Sequence, residues 1–176
     1  MPSCYSAFTL LHAIASGTMG EVDPESVWDY PRPPALSPSS ERVVVTHKGQ
    51  VLCETTRAIR VLETSHPPTY YLPREDCRME FFEPVAGSTV CEFKGVAHYA
   101  DIVVNGARES RCAWWYPEPT REFAAIRDYI ALYPGRVDQC SVDGEIVVAQ
   151  EGDFYGGWIT SRVKGPFKGA PGTWGW

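Results

Sequence analysis

Two short segments carry the residues best suited to chemistry. Glu63 and His66 lie in Leu62-Glu63-Thr64-Ser65-His66-Pro67-Pro68, and a carboxylate that orients an imidazole makes an acid–base pair. The two prolines stiffen this loop, which suits a site and also suits a rigid connector whose histidine only bonds backbone. Cys91 and Lys94 lie in Cys91-Glu92-Phe93-Lys94-Gly95, where a cation beside a thiol would favour the nucleophilic thiolate. The plainer alternative is a buried structural thiol and a solvent-facing ammonium. Tyr70, Tyr71, Tyr99, Trp114 and Tyr116 could wall a pocket for a planar or sugar-like ligand, although aromatics at strand spacing also build cores. The expectation is that Glu63, His66, Tyr71, Cys91 and Lys94 border one concavity. Asp76 with Arg78, and Asp138 with Asp143, read as surface charge and turn chemistry. The histidines, at 12, 47, 66 and 98, are too dispersed to predict a metal site.

Strands and turns must position these groups. Asn105-Gly106 is the strongest hairpin signal in the chain, a type I′ turn that sets Val104 opposite Ala107. Counting back, Tyr99 opposes Cys112, Ala97 opposes Trp114 and Gly95 opposes Tyr116. Alternation then puts Cys91, Phe93, Tyr99, Cys112, Trp114 and Tyr116 on one face, with Glu92, Lys94, His98 and Trp115 on the other. Cys91 and Lys94 therefore meet only if the strand bulges near Gly95. Of Trp114 and Trp115, only one can face the core.

Other hairpins are expected over Arg42–Thr55, turning within His47-Lys48-Gly49-Gln50, and over Val137–Val148, turning at Asp143-Gly144. Ala58–Glu63 reads as a strand with Ile59, Val61 and Glu63 on one face, and Tyr129–Tyr133 as another. One or two helical turns fit Arg74–Phe82, and Thr120 can cap a short helix through Ile126. The arm Trp28-Asp29-Tyr30-Pro31-Arg32-Pro33-Pro34 must be extended. The tail from Gly156 is glycine-rich, yet Trp158, Phe167, Trp174 and Trp176 should bury at least in part and wrap the domain.

Composition narrows the function classes. The 176 residues are 44% hydrophobic and 22% charged, the balance of a folded domain, and 15 glycines with 15 prolines leave little room for long helices. A net charge of −6 with scattered basic residues argues against a nucleic-acid partner, while a local basic pocket for a small anion fits. None of the six cysteines forms a C-x-x-C pair, so they read as reduced thiols without structural zinc or an obligatory disulfide. The apolar stretch Ala7–Ala15 has no basic residue before it and is too short to cross a membrane. Residues 1–20 read as an extension and 21–176 as a single β-rich domain.

Three motifs in order are similar to those of one family. Glu63-Thr64-Ser65-His66-Pro67-Pro68-Thr69-Tyr70-Tyr71-Leu72-Pro73 comes first, then Cys91-Glu92-Phe93-Lys94-Gly95-Val96-Ala97-His98-Tyr99, then Trp115-Tyr116-Pro117-Glu118-Pro119. From Trp28 onward the chain resembles domain-of-unknown-function family 427, labelled nucleotidyltransferase-like, in a longer form with the proline arm and the Gly156-Gly157-Trp158 tail. That label implies a Gly-Ser pair followed closely by two carboxylates holding magnesium. Here Gly87-Ser88 is followed by Glu92 and Asp101 instead of Asp-x-Asp, and Gly165-Pro166-Phe167-Lys168-Gly169 lacks the P-loop ending.

The fold expected is mainly β: antiparallel hairpins forming a sandwich or partly open barrel with one or two short helices. The function expected is that of a cytoplasmic small-molecule-binding domain able to support catalysis, with Glu63, His66, Cys91 and Lys94 as catalytic candidates. Tyr70, Tyr71, Tyr99, Trp114 and Tyr116 are the ligand-binding candidates, with no cofactor, nucleic acid or membrane assigned. The alternatives are a nucleotidyl- or phosphoryl-transfer enzyme and a non-catalytic interaction module using the arm and tail.

Overall fold

A computed structural model describes residues 23–152 and 154–176; the extension expected over residues 1–20 lies outside them. In chain order the strands are β1 (Glu25–Ser26), β2 (Ala35–Pro38), β3 (Val43–His47), β4 (Gln50–Thr55), β5 (Ile59–Leu62), β6 (Thr69–Leu72), β7 (Phe82–Cys91), β8 (Gly95–Val104), β9 (Ala107–Trp115), β10 (Ile130–Leu132), β11 (Gln139–Val142), β12 (Glu145–Ile146), β13 (Val148–Ala149), β14 (Trp158–Ile159) and β15 (Val163–Lys164). The three turns expected from sequence form as read. Lys48-Gly49, Asn105-Gly106 and Asp143-Gly144 each hold two consecutive residues at positive φ, the conformation that type I′ hairpins require and that glycine makes accessible.

A seven-stranded sheet, ordered β2-β5-β6-β10-β9-β8-β7, packs one face against a four-stranded sheet, ordered β12-β11-β3-β4. The result is a mainly antiparallel sandwich. Its core contains Val43, Val45, Leu52, Tyr70, Leu72, Ile102, Val104, Leu132, Val142 and Trp158. The other face of the large sheet carries a second apolar cluster of Ile59, Val61, Tyr71, Tyr99, Trp114, Tyr116, Phe123 and Ile126. Because both faces are covered, both adjacent tryptophans find packing. Trp114 joins the second cluster, whereas Trp115 packs against the sandwich core and lies beneath the Arg74 guanidinium. The helical segments among the described residues are short 3-10 turns, the longest Arg121–Ile126. Thr120 does not cap that turn with its side chain; its hydroxyl donates to the Phe93 carbonyl at 2.6 Å.

Two bulges correct the counted register. Val104 opposes Ala107 as expected, but the β8–β9 ladder shifts between Ala100 and Ile102, so Tyr99 opposes Trp114 and His98 opposes Trp115. Arg111 takes φ +49 there, which breaks the alternation and turns Cys112 into the sandwich core, away from Tyr99 and Trp114. Asp101 holds the bulge. Its carboxylate accepts the Arg111 backbone N–H at 2.8 Å and an Arg108 guanidinium N–H at 2.8 Å. The β7–β8 ladder has its own shift between Val85 and Ser88, at Gly87 (φ +92) and not at Gly95.

Asp101→Ala should therefore cost about 2–3 kcal/mol in urea denaturation, since two charge-assisted bonds are lost. Burial alone would raise the Asp101 carboxyl, but the Arg111 N–H and Arg108 hold it below its ordinary 3.8. Its contribution is thus present above about pH 3.8 and disappears as pH falls through the lower folded value. The difference between native protein and variant should close in acid.

Several tail residues pack against other segments. β15 pairs in parallel with β1, Trp158 is fully buried, Phe167 packs against Val27, Tyr30 and Val163, and Trp176 meets Trp28 edge to face at 5.4 Å. Trp174 does not bury: it is 66% exposed.

Candidate functional site

The register of the large sheet lines up one transverse row: Ile59 opposite Tyr71, Tyr71 opposite Ala131, Ala131 opposite Trp114, Trp114 opposite Tyr99, and Tyr99 opposite Val85. Ala131 separates two large rings that sit on alternate strands. Its single methyl leaves room for them to meet above it, where the Trp114 indole N–H donates to the Tyr71 hydroxyl at 3.1 Å. Tyr133 closes on the Trp114 ring at 4.5 Å. These rings form part of the wall of a cleft of about 520 Å³, a size that accommodates a metabolite-sized ligand.

Glu63, His66, Tyr71, Cys91, Lys94, Tyr99, Trp114 and Tyr116 all line this cleft. Tyr70 does not. It faces the sandwich core, where its ring lies 5.0 Å from that of Trp158 and its hydroxyl donates to Glu41 at 2.9 Å. Cys91 and Lys94 come together by a different device from a bulged strand. Glu92, Phe93 and Lys94 form the turn of the β7–β8 hairpin, with Cys91 paired to Gly95 at its base. Gly95 is at φ +99, where a Cβ would also press to 3.3 Å from the Glu118 carbonyl. A side chain there would strain the turn that delivers Lys94.

Glu63 and His66 do not form the acid–base pair their spacing suggested. The Glu63 carboxylate pairs with Arg32 at 3.5 Å, and the same guanidinium reaches Glu92 at 3.0 Å. Arg32 thereby ties the proline-bounded loop to the hairpin turn. His66 instead engages Gln150. The Gln150 amide oxygen accepts the Gly157 N–H at 3.1 Å, and its amide nitrogen donates to the Lys168 carbonyl at 2.7 Å. This fixes the amide orientation, so the same nitrogen meets His66 Nδ1, 3.2 Å away, as a donor. The neutral imidazole then carries its proton on Nε2. Burial, then the positive charges of Lys168, Arg32 and Lys94, lower His66 from 6.5 to about 4. It is neutral at physiological pH. Burial likewise pushes the Tyr71 and Tyr116 phenols upward, so both remain protonated donors.

The roof comes from the segment around Gly156. A Cβ on Gly156 would fall 2.3 Å from the Trp114 ring, and one on Gly157 would fall 2.3 Å from the Gln150 amide oxygen. Backbone approaches this closely only because side chains are absent. Among the described lining residues five are basic (Arg32, Lys94, Arg111, Arg136 and Lys168) and two acidic, Glu63 and Glu92, both held by Arg32. A cationic cleft in a chain of net charge −6 focuses its field on an incoming anion. Lys94 is only 9% exposed, its ammonium lies 5.7 Å from the Phe123 ring centre, and no described ion pair includes it.

Sequence reading missed Arg32, Arg136, Gln150 and Lys168, which come from segments without a periodic pattern, and Arg111, which sits at the bulge within β9. Residues 35–143 match the family described as a domain of unknown function, DUF427, under the short name NTP_transf_9. The chain belongs to the DUF427 family. Among curated proteins none matches the sequence. Most of the DUF427 segment builds the sheets and the aromatic floor, whereas Arg32, Gln150 and Lys168 come from outside the matched residues.

Proposed function

We propose that this DUF427 protein binds a small organic anion, a carboxylate or phosphate attached to a flat or apolar body. The observation that carries the reading is Lys94: a nearly buried lysine with no carboxylate partner among the described residues, bordering a cleft with excess positive charge. A buried charge is costly unless paired, and a ligand anion would complete the pair. The aromatic walls supply surface for the rest of the molecule. The reading includes a reducing, cytoplasmic setting, supported by free thiols at Cys53, Cys77, Cys91, Cys112 and Cys140. Cys91 is the cleft's nucleophile candidate, whereas His66, with Nδ1 taken by Gln150 and its proton on Nε2, is a hydrogen-bond donor and not a base; binding needs neither to react.

The nucleotidyl-transfer alternative asks for carboxylates free to hold magnesium, and both cleft carboxylates face Arg32. The interaction-module alternative asks for an exposed apolar face without an enclosed site, and the cleft favours a small molecule over it.

Calorimetric titration with phenyl phosphate and benzoate, against neutral benzyl alcohol, tests the proposal. The anions should bind and benzyl alcohol should not. Lys94→Met should weaken the anions by about 10–100-fold, the worth of one charge-assisted bond, with an almost unchanged melting temperature. Equal binding of the neutral compound, or an indifferent Lys94→Met, would refute it.

A further inference from the structure

The cations of the cleft fall into two groups at opposite ends. His66 feels Lys168, Arg32 and Lys94, whereas Tyr133 feels Arg136 and Arg111. Geometry gives the same division. Lys94 sits in the hairpin turn beside Gly95, and Gly95 pairs with Cys91 at the end of β8. Arg111 lies over the Tyr99 ring at 4.0 Å, and Arg136 over the Tyr133 ring at 4.7 Å. Tyr99 is four residues along β8 from Gly95, roughly 13 Å in an extended strand. Tyr71 and Trp114 share the transverse row of Tyr99, and with Tyr116 their rings line the cleft alongside both cation groups.

Each group contains a cation whose charged end lies against a ring face and forms no ion pair among the described residues. The Arg111 guanidinium donates to the Ala86 carbonyl at 3.3 Å and stacks on Tyr99; Lys94 rests near the Phe123 ring. Carbonyls and ring faces orient a cation without cancelling its charge. Six arginines outside the cleft, Arg42, Arg57, Arg60, Arg78, Arg108 and Arg162, each face a carboxylate, although Arg74 stacks on Trp115.

We propose that the ligand of this cleft is a dianion with an acidic group at each end of a flat or apolar middle, one end held by Lys94 with Lys168 and the other by Arg111 with Arg136. The inference rests on the anion-binding reading and narrows it to a class: dicarboxylates, bisphosphates and mixed carboxy-phosphates. The aromatic wall can stack on the body of such a ligand and add affinity without demanding a third charge.

The test is a calorimetric series of dicarboxylates from succinate to sebacate against monocarboxylates of equal length, with terephthalate against benzoate, repeated with the corresponding alkane bisphosphates and monophosphates. At the fitting length the dianion should bind at least about tenfold tighter than its monoanion. Lys94→Met and Arg111→Leu should each reduce it to the monoanion's level, while Arg42→Leu at the surface should leave it unchanged. If monoanions match dianions at every length and with both head groups, or if only Lys94→Met matters, the two-ended ligand is wrong and the single-anion reading stands. If no anion binds at all, including phenyl phosphate, both fall.

Discussion

Replacing Trp158 with alanine should lower the melting temperature by roughly 10 °C, the largest single-residue effect expected here. Trp158 is fully buried, its ring lies 5.0 Å from that of Tyr70, and its indole N–H donates to the Leu132 carbonyl at 3.3 Å. Deleting a buried tryptophan costs about 3–5 kcal/mol through lost transfer energy and the cavity left behind. In a domain of this size each kcal/mol moves the melting temperature by about 2–4 °C. Trp158→Phe should recover much of the loss, leaving mainly the unpaired carbonyl and a smaller void. Calorimetric melting of the two variants checks both values. An unchanged transition for Trp158→Ala would mean that the chain beyond the DUF427 segment does not share the cooperative core.

The second large effect is a histidine that resists protonation. NMR titration of the His66 imidazole should give a midpoint near 4 in place of the ordinary 6.5. Because the folded value is depressed, the unfolded chain takes the proton first as pH falls. The stability linked to His66 is complete above about pH 6.5 and is lost as pH drops toward 4, up to about 3 kcal/mol. His66→Gln should flatten that part of the pH profile. Saturation with phenyl phosphate should move the midpoint upward, since an anion offsets the field of Lys168, Arg32 and Lys94. Linkage then requires affinity for an always-charged sulfonate to rise in the same acidic window. A free-protein midpoint near 6.5 would mean that the ring is solvated and the cleft is not strongly cationic.

What the sequence disclosed, and what it hid, follows from the range of the interactions. Lys48-Gly49, Asn105-Gly106 and Asp143-Gly144 were legible because consecutive positive φ angles are a local demand. Ile59, Val61 and Glu63 were legible as one face because alternation held along β5. The Arg111 bulge was not, since arginine at positive φ has no signature of its own; a buried carboxylate ten residues earlier stabilises it. Glu92–Lys94 passed for strand because Phe93 continued the alternation, and Gly95 was the only local cue that the chain turned. The Glu63–His66 pairing failed for a tertiary reason. Arg32 takes the carboxylate and Gln150 takes the imidazole, each from a distant part of the chain.

The parallel pairing of Glu25 with Val163 has a consequence for synthesis on the ribosome. Emerging chains are built from the N-terminus, and contacts between distant residues are slow to close. Residues 25–132 can lay down the large sheet while translation continues, but β1 has no partner until Val163 has left the exit tunnel. Gln150 and Lys168, which orient His66 and charge one end of the cleft, also arrive late. A nascent chain can therefore hold its aromatic floor open to solvent before it has a complete pocket.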